Sequence, residues 1–78
     1  MNADDAVLHM WTVYDHPRDC PDAFIARRFE VGRSGLVATT ETMSSPHIYI
    51  LREQLAIRGL TPLARSPGDD PCIIETWV

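Results

Sequence analysis

The chain has 78 residues and 8.8 kDa, 45% of them hydrophobic and 23% charged, with a formal charge of −4. A chain this short hides only about 60% of the surface its unfolded form exposes, which leaves room for one small domain with a thin core. No apolar run approaches the ~20 residues that span a bilayer, and the start MNADDAVLHM lacks a basic region and an unbroken apolar stretch, so neither a membrane span nor a secretory signal is expected.

Residues 1–6 are small or polar and are expected to fray. Leu8 to Tyr14, rich in β-branched and aromatic residues, reads as a first strand. DHPRDCPD follows, a loop in which proline fixes φ and aspartate satisfies nearby amides. Ala23 to Val31 is a second strand with Ile25, Arg27, Phe29 and Val31 on one side. GRSG at 32–35 is a hairpin-type turn, and residues 36–41 form a third strand.

Helix signals then gather in one place. Ser45 suits an N-cap, Pro46 the first helical position and Gly59 the residue just past the end, predicting a helix over 46–58. Residues 61–71 read as a loop and 72–78 as a final strand. The order β-β-β-α-β predicts an α+β two-layer sandwich, a mainly antiparallel four-stranded sheet with one helix on one face. A crossover through the helix is expected to set the last strand beside and parallel to the first, in spatial order 3-2-1-4.

At 100° per residue Ile48, Leu51 and Leu55 share a stripe that should face the sheet, with Arg52 and Arg58 laying their stems over its margins. Ile25, Phe29, Val31, Ile74 and Val78 are the expected partners from the strands. Ile50 and Ile57 fall on the opposite side of the helix, with Tyr49 and Gln54 beside them. Three readings fit: scattered surface apolar residues, cover by the N-terminal segment, or a self-association or partner surface. Trp11 and Trp77 carry a similar choice between packing the sheet edges and forming an aromatic platform near Arg28.

The acidic balance disfavours generic nucleic-acid binding, which draws its affinity from cations that neutralise phosphates, although Arg27, Arg28 and Arg33 lie close together. Cys20 and Cys72 match neither a disulfide framework nor a close metal-binding pair, and read as reduced thiols of a cytoplasmic protein. Among polar clusters, Asp15, His16 and Asp19 form the one that resembles a site. It reads either as an ordered loop, its aspartates capping amides and pairing with Arg18 or Arg27, or as a His–Asp pair for hydrolytic or metal-assisted chemistry. Asp69 and Asp70 in RSPGDDP suit caps before the last strand better than a magnesium site. No phosphate loop, nucleophile elbow or zinc motif is present, and no cofactor or metal is expected.

The stretch WTVYDHPRDCPDAFIAR at 11–27, with RSPGDDP and IIETW near the end, resembles a group of small bacterial proteins found in proteobacteria and prophage-like regions. The resemblance implies a compact cytoplasmic domain and brings no activity or catalytic residue with it. Cys20 stands where an aromatic residue is usual in the group, which speaks against a cysteine mechanism. The expected function is a small non-enzymatic protein-interaction module, homodimeric or accessory to another protein. The alternatives are a small hydrolase or metal-dependent enzyme at the His16 loop, and an acidic, phage-type decoy or inhibitor of a host protein.

Overall fold

The structure, a computed structural model, describes residues 8–78; the fraying expected of 1–6 and any cover by the N-terminal segment lie outside the described residues. Five strands and one helix follow in the order β1 (Leu8–Asp15), β2 (Phe24–Gly32), β3 (Gly35–Ser45), α1 (Ile48–Ile57), β4 (Pro62–Ala64) and β5 (Ile73–Trp77). They form one sheet in the order β3-β2-β1-β5-β4, with every neighbouring pair antiparallel. The α+β class and the antiparallel sheet stand, with five strands where four were expected.

The last strand does lie beside β1, but antiparallel to it, where a parallel pairing was expected. The cause is β4, a three-residue strand within the segment read as a loop. The chain returning from the helix runs first along the far edge as β4 and then hairpins back as β5. That extra traverse reverses the direction of the final strand. Backbone bonds between Thr61 and Val78 (2.7 and 2.9 Å) extend the pairing beyond Pro62 and Trp77.

Pro46 also shifts the start of the helix. The residue before a proline is held extended, so Ser45 stays in β3, and its hydroxyl accepts the His47 amide at 3.1 Å instead of capping the helix. The N-cap is His47, with no side-chain cap bond, in place of Ser45. The other end is as the sequence predicts. Gly59 has φ +81°, and the Gly59 and Leu60 amides donate to Ala56 and Leu55 at 3.0 and 3.3 Å, a Schellman closure.

The helix seats Leu51 and Leu55, both essentially buried, with Ile48 alongside. Beneath them lie Trp11, Val13, Ala26 and Trp77. This reverses the expected face of the sheet. The unbroken β1–β2 register puts Trp11, Val13, Ala26 and Arg28 on the helix side, and Met10, Tyr14, Ile25, Phe29 and Val31 on the other. Of the expected strand partners, Ile74 packs against the core, Ile25 is buried but faces away from the helix, Phe29 and Val31 face away and are half-buried, and Val78 falls past the end of β5. An indole buries roughly 150–250 Å², and Trp11 and Trp77 are direct cross-strand partners. Covering that pair outweighs covering the smaller side chains on the reverse face.

Burying this face brings Glu75 with it, since Glu75 and Trp77 alternate on one side of β5. The carboxylate is satisfied there: Arg52 donates from Nε and a terminal nitrogen (3.1 and 2.9 Å), and the Trp77 indole N–H donates at 2.6 Å. Bonding to Glu75 raises the Arg52 pKa, although burial pulls the other way. Arg58 lies 5.1 Å over the Trp11 ring, so both arginines flank the stripe as expected.

Candidate functional site

The face of the sheet opposite the helix is the candidate site. Register aligns its side chains in cross-strand rows. At the hairpin end Leu8, Val31 and Leu36 form one row, and Met10, Phe29 and Ala38 the next. Further along, Leu63, Thr76, Thr12, Arg27 and Thr42 make a row across all five strands. Leu8, Leu36 and Leu63 are 53%, 59% and 51% exposed, while Met10, Phe29 and Val31 are half-buried. No helix or strand among the described residues forms a second layer on this side.

The same strands show what a bare sheet surface looks like when it meets water. Past the end of the short helix, the helix side carries His9, Arg28 and Glu30 in adjacent register positions. Arg28 contacts His9, Glu30 (3.2 Å) and Glu41 (3.7 Å). At the same height on the reverse face stand Leu8, Met10, Phe29 and Val31. Alternation along β1 and β2 therefore puts charge on one uncovered surface and hydrocarbon on the other, with Val37 of β3, 56% exposed, beside Glu30 on the charged side.

At the opposite end, the β1–β2 and β4–β5 loops border a groove of about 670 Å³. Its floor is Tyr14, Arg27 and Phe29, and its walls include Pro17, Arg18, Asp19, Asp70 and Cys72. The Arg27 guanidinium contacts Asp19 and lies 5.7 Å from the Tyr14 ring centre. Burial is the main cause that holds the Tyr14 phenol above its usual pKa; Arg27 lowers it and Asp70 raises it further. The β4–β5 loop is built by its own aspartates. Asp69 accepts the Ser66 amide at 2.9 Å and Asp70 the Cys72 amide at 2.8 Å, the capping role expected of this pair.

The structure divides the residues singled out in the sequence. Asp15 and His16 do meet, through His16 Nδ1 and Asp15 Oδ1, and the His16 ring sits edge-on to Phe24 at 4.7 Å. Asp19 turns away to Arg27, so the three do not converge. His16 has φ +47°, in the left-handed region, and both it and Asp15 are exposed. Among the described residues no three His, Cys, Asp or Glu side chains group as a metal shell would. Cys72 lines the groove, but His16 does not, and both cysteines are free thiols.

Trp11 and Trp77 are 4% and 6% exposed. A stacking platform needs an open indole face, so these two belong to the core. Tyr49, Ile50 and Ile57 are 62%, 40% and 71% exposed on the back of the helix, as expected. The three clustered arginines separate: Arg27 and Arg28 occupy opposite faces and both are paired with acids, and Arg33 sits in the exposed hairpin turn. The apolar reverse face was missed because the sequence marks Ile25, Phe29 and Val31 as core. The bulk of Trp11 and Trp77 was the signal that could have placed the helix correctly.

Both sheet edges are poor docking strands. β4 is three residues long and begins with proline, while β3 is interrupted by an irregularity around Thr39–Glu41, where the Thr39 hydroxyl bonds its own chain and the Arg28 carbonyl. No helix among the described residues is long and apolar enough to cross a membrane. Comparison with family models, curated proteins and solved structures finds no match for the chain.

Proposed function

We propose that the protein is a small non-enzymatic interaction module of the cytoplasm that docks through the open face of its sheet. The observation that supports this is the row of Leu8 and Leu36, both exposed, with the half-buried Val31 between them, next to Met10 and Phe29, on strands whose other uncovered surface carries His9, Arg28 and Glu30 beside Val37. Contiguous apolar surface of this kind is the usual mark of an interaction site, whereas single exposed residues are ordinary. The resemblance to small prophage-associated bacterial proteins is consistent with a binding domain of this size.

Enzymatic chemistry at the His16 loop has less behind it. The histidine and its aspartate lie outside the groove, and the groove's thiol has no histidine beside it. An acidic decoy would place its acid excess at the docking surface, whereas the groove is lined by two arginines, Arg18 and Arg27, and two aspartates, Asp19 and Asp70.

The test compares protein capture from the source cells by the native chain, by Leu36→Asp and by Ile57→Asp. The module reading expects Leu36→Asp to lose the specific captures and Ile57→Asp to keep them. Capture that is indifferent to Leu36 would remove the sheet face from the account.

A further inference from the structure

We infer that the occupant of the open sheet face is a second copy of this chain, packed face to face about a two-fold axis; the inference rests on the docking reading above. Three observations support it.

The first is size. Eight residues of β1 at about 3.3 Å each, by five strands about 4.8 Å apart, give a face on the order of 600 Å² in flat projection. A standard interface removes about 800 Å² of accessible surface per partner, so a corrugated face of this extent is adequate. The back of the ten-residue helix offers roughly 15 Å by 10 Å, several times less.

The second is charge. A two-fold contact sets a surface against itself, so a patch of one sign would repel its own copy. The groove end of the face holds two arginines, Arg18 and Arg27, and two aspartates, Asp19 and Asp70, which cancel, and the rows Leu8–Val31–Leu36 and Met10–Phe29–Ala38 carry no charge.

The third is the composition of the layer itself. Phe29 and Val31 continue the interior strand pattern of Ile25, which is 8% exposed, but the helix covers the other side and leaves these two half-buried. A second sheet about 10 Å away supplies the missing layer, the aligned packing of a β-sandwich. Small domains with thin cores commonly gain stability in this way.

Sedimentation equilibrium of the native chain, from micromolar to millimolar, is expected to fit a monomer–dimer equilibrium. Leu36→Asp and Val31→Asp should each raise the dimer Kd by tenfold or more, with Ile57→Asp unchanged. Leu36 is exposed enough that its variant should keep the native near-ultraviolet circular dichroism, which checks folding. In a mixture of labelled and unlabelled native chains, intermolecular NOEs should link the Phe29 ring to Val31 or Leu36 methyls. A native chain that stays monomeric at millimolar concentration would overturn the second copy as occupant, while Leu36-dependent capture of another protein would keep the docking reading. A dimer lost in Ile57→Asp and kept in both face variants would overturn the inference in favour of the helix back.

Discussion

Glu75 is the residue whose burial most needs explaining, because a carboxylate taken from water is costly unless it is paired and hydrogen-bonded. Two arginine N–H groups and one indole N–H supply that. Replacing Arg52 with Ala leaves the carboxylate with the indole alone. Because Arg52 is itself half exposed, the expected loss is about 1–2 kcal/mol, less than for a fully buried pair. Chemical denaturation of Arg52→Ala checks it, and an unchanged midpoint would mean the pair is only a surface contact. Tyr14 makes a pH prediction. Its pKa is raised in the folded chain, chiefly by burial, so folding favours the neutral phenol. The associated stability is fully present below the ordinary tyrosine value near 10 and is lost as pH rises through the higher folded value. Tyr14→Phe should therefore lose less stability than the native chain between about pH 9 and 11. Parallel losses in a pH series of denaturant melts would contradict this.

At the scale of elements, α1 is held by its stripe and its C-terminal closure. Leu55→Ala is expected to cost about 2–5 kcal/mol, since it empties the centre of a small core, and should abolish the cooperative thermal transition or lower its midpoint sharply. Gly59→Ala should cost about 1 kcal/mol through backbone strain alone, because an added Cβ meets nothing within 4 Å. The helix was legible in the sequence because its evidence is local: Ile48, Leu51 and Leu55 at helical spacing, with glycine after the last turn. Strands β1 and β2 and the turn from β2 to β3 were legible for the same reason. What could not be read locally was the phase of the sheet. Both sides of β2 carry apolar residues, and the choice between them depends on Trp11 meeting Trp77 from the far end of the chain. β4 was hidden because three residues beginning with proline carry almost no strand signal, and its absence cost the expected direction of β5. The candidate site suffered most. Once Phe29 and Val31 were taken for core, the sequence offered the helix back, the tryptophan platform and the polar loops as surfaces.

At the scale of the whole molecule, the dimensions of 41 × 27 × 23 Å show a sheet larger than its roof. A ten-residue helix is about 15 Å long, whereas the eleven residues of β3 can extend more than twice as far. The β2–β3 hairpin therefore runs past the helix. On the helix side its base is finished by Arg28 and its acidic partners, and on the reverse side by hydrocarbon. The proposed docking surface rests on this asymmetry. If a second sheet covers the face, thermal stability should rise with protein concentration, as dimerisation adds to the free energy of the folded state. A midpoint constant over a hundredfold range of concentration would argue for a monomer.

The central claim is that the helix covers the tryptophan side of the sheet and leaves Phe29 and Val31 on the side without a second layer. Nuclear Overhauser contacts of the Leu51 and Leu55 methyl groups test it most directly. The account predicts strong contacts from both leucines to the indole protons of Trp11 and Trp77, and none within one chain to the Phe29 ring. Contacts from these methyls to Phe29 or Val31, with the indoles silent, would put the helix on the other face and contradict the account.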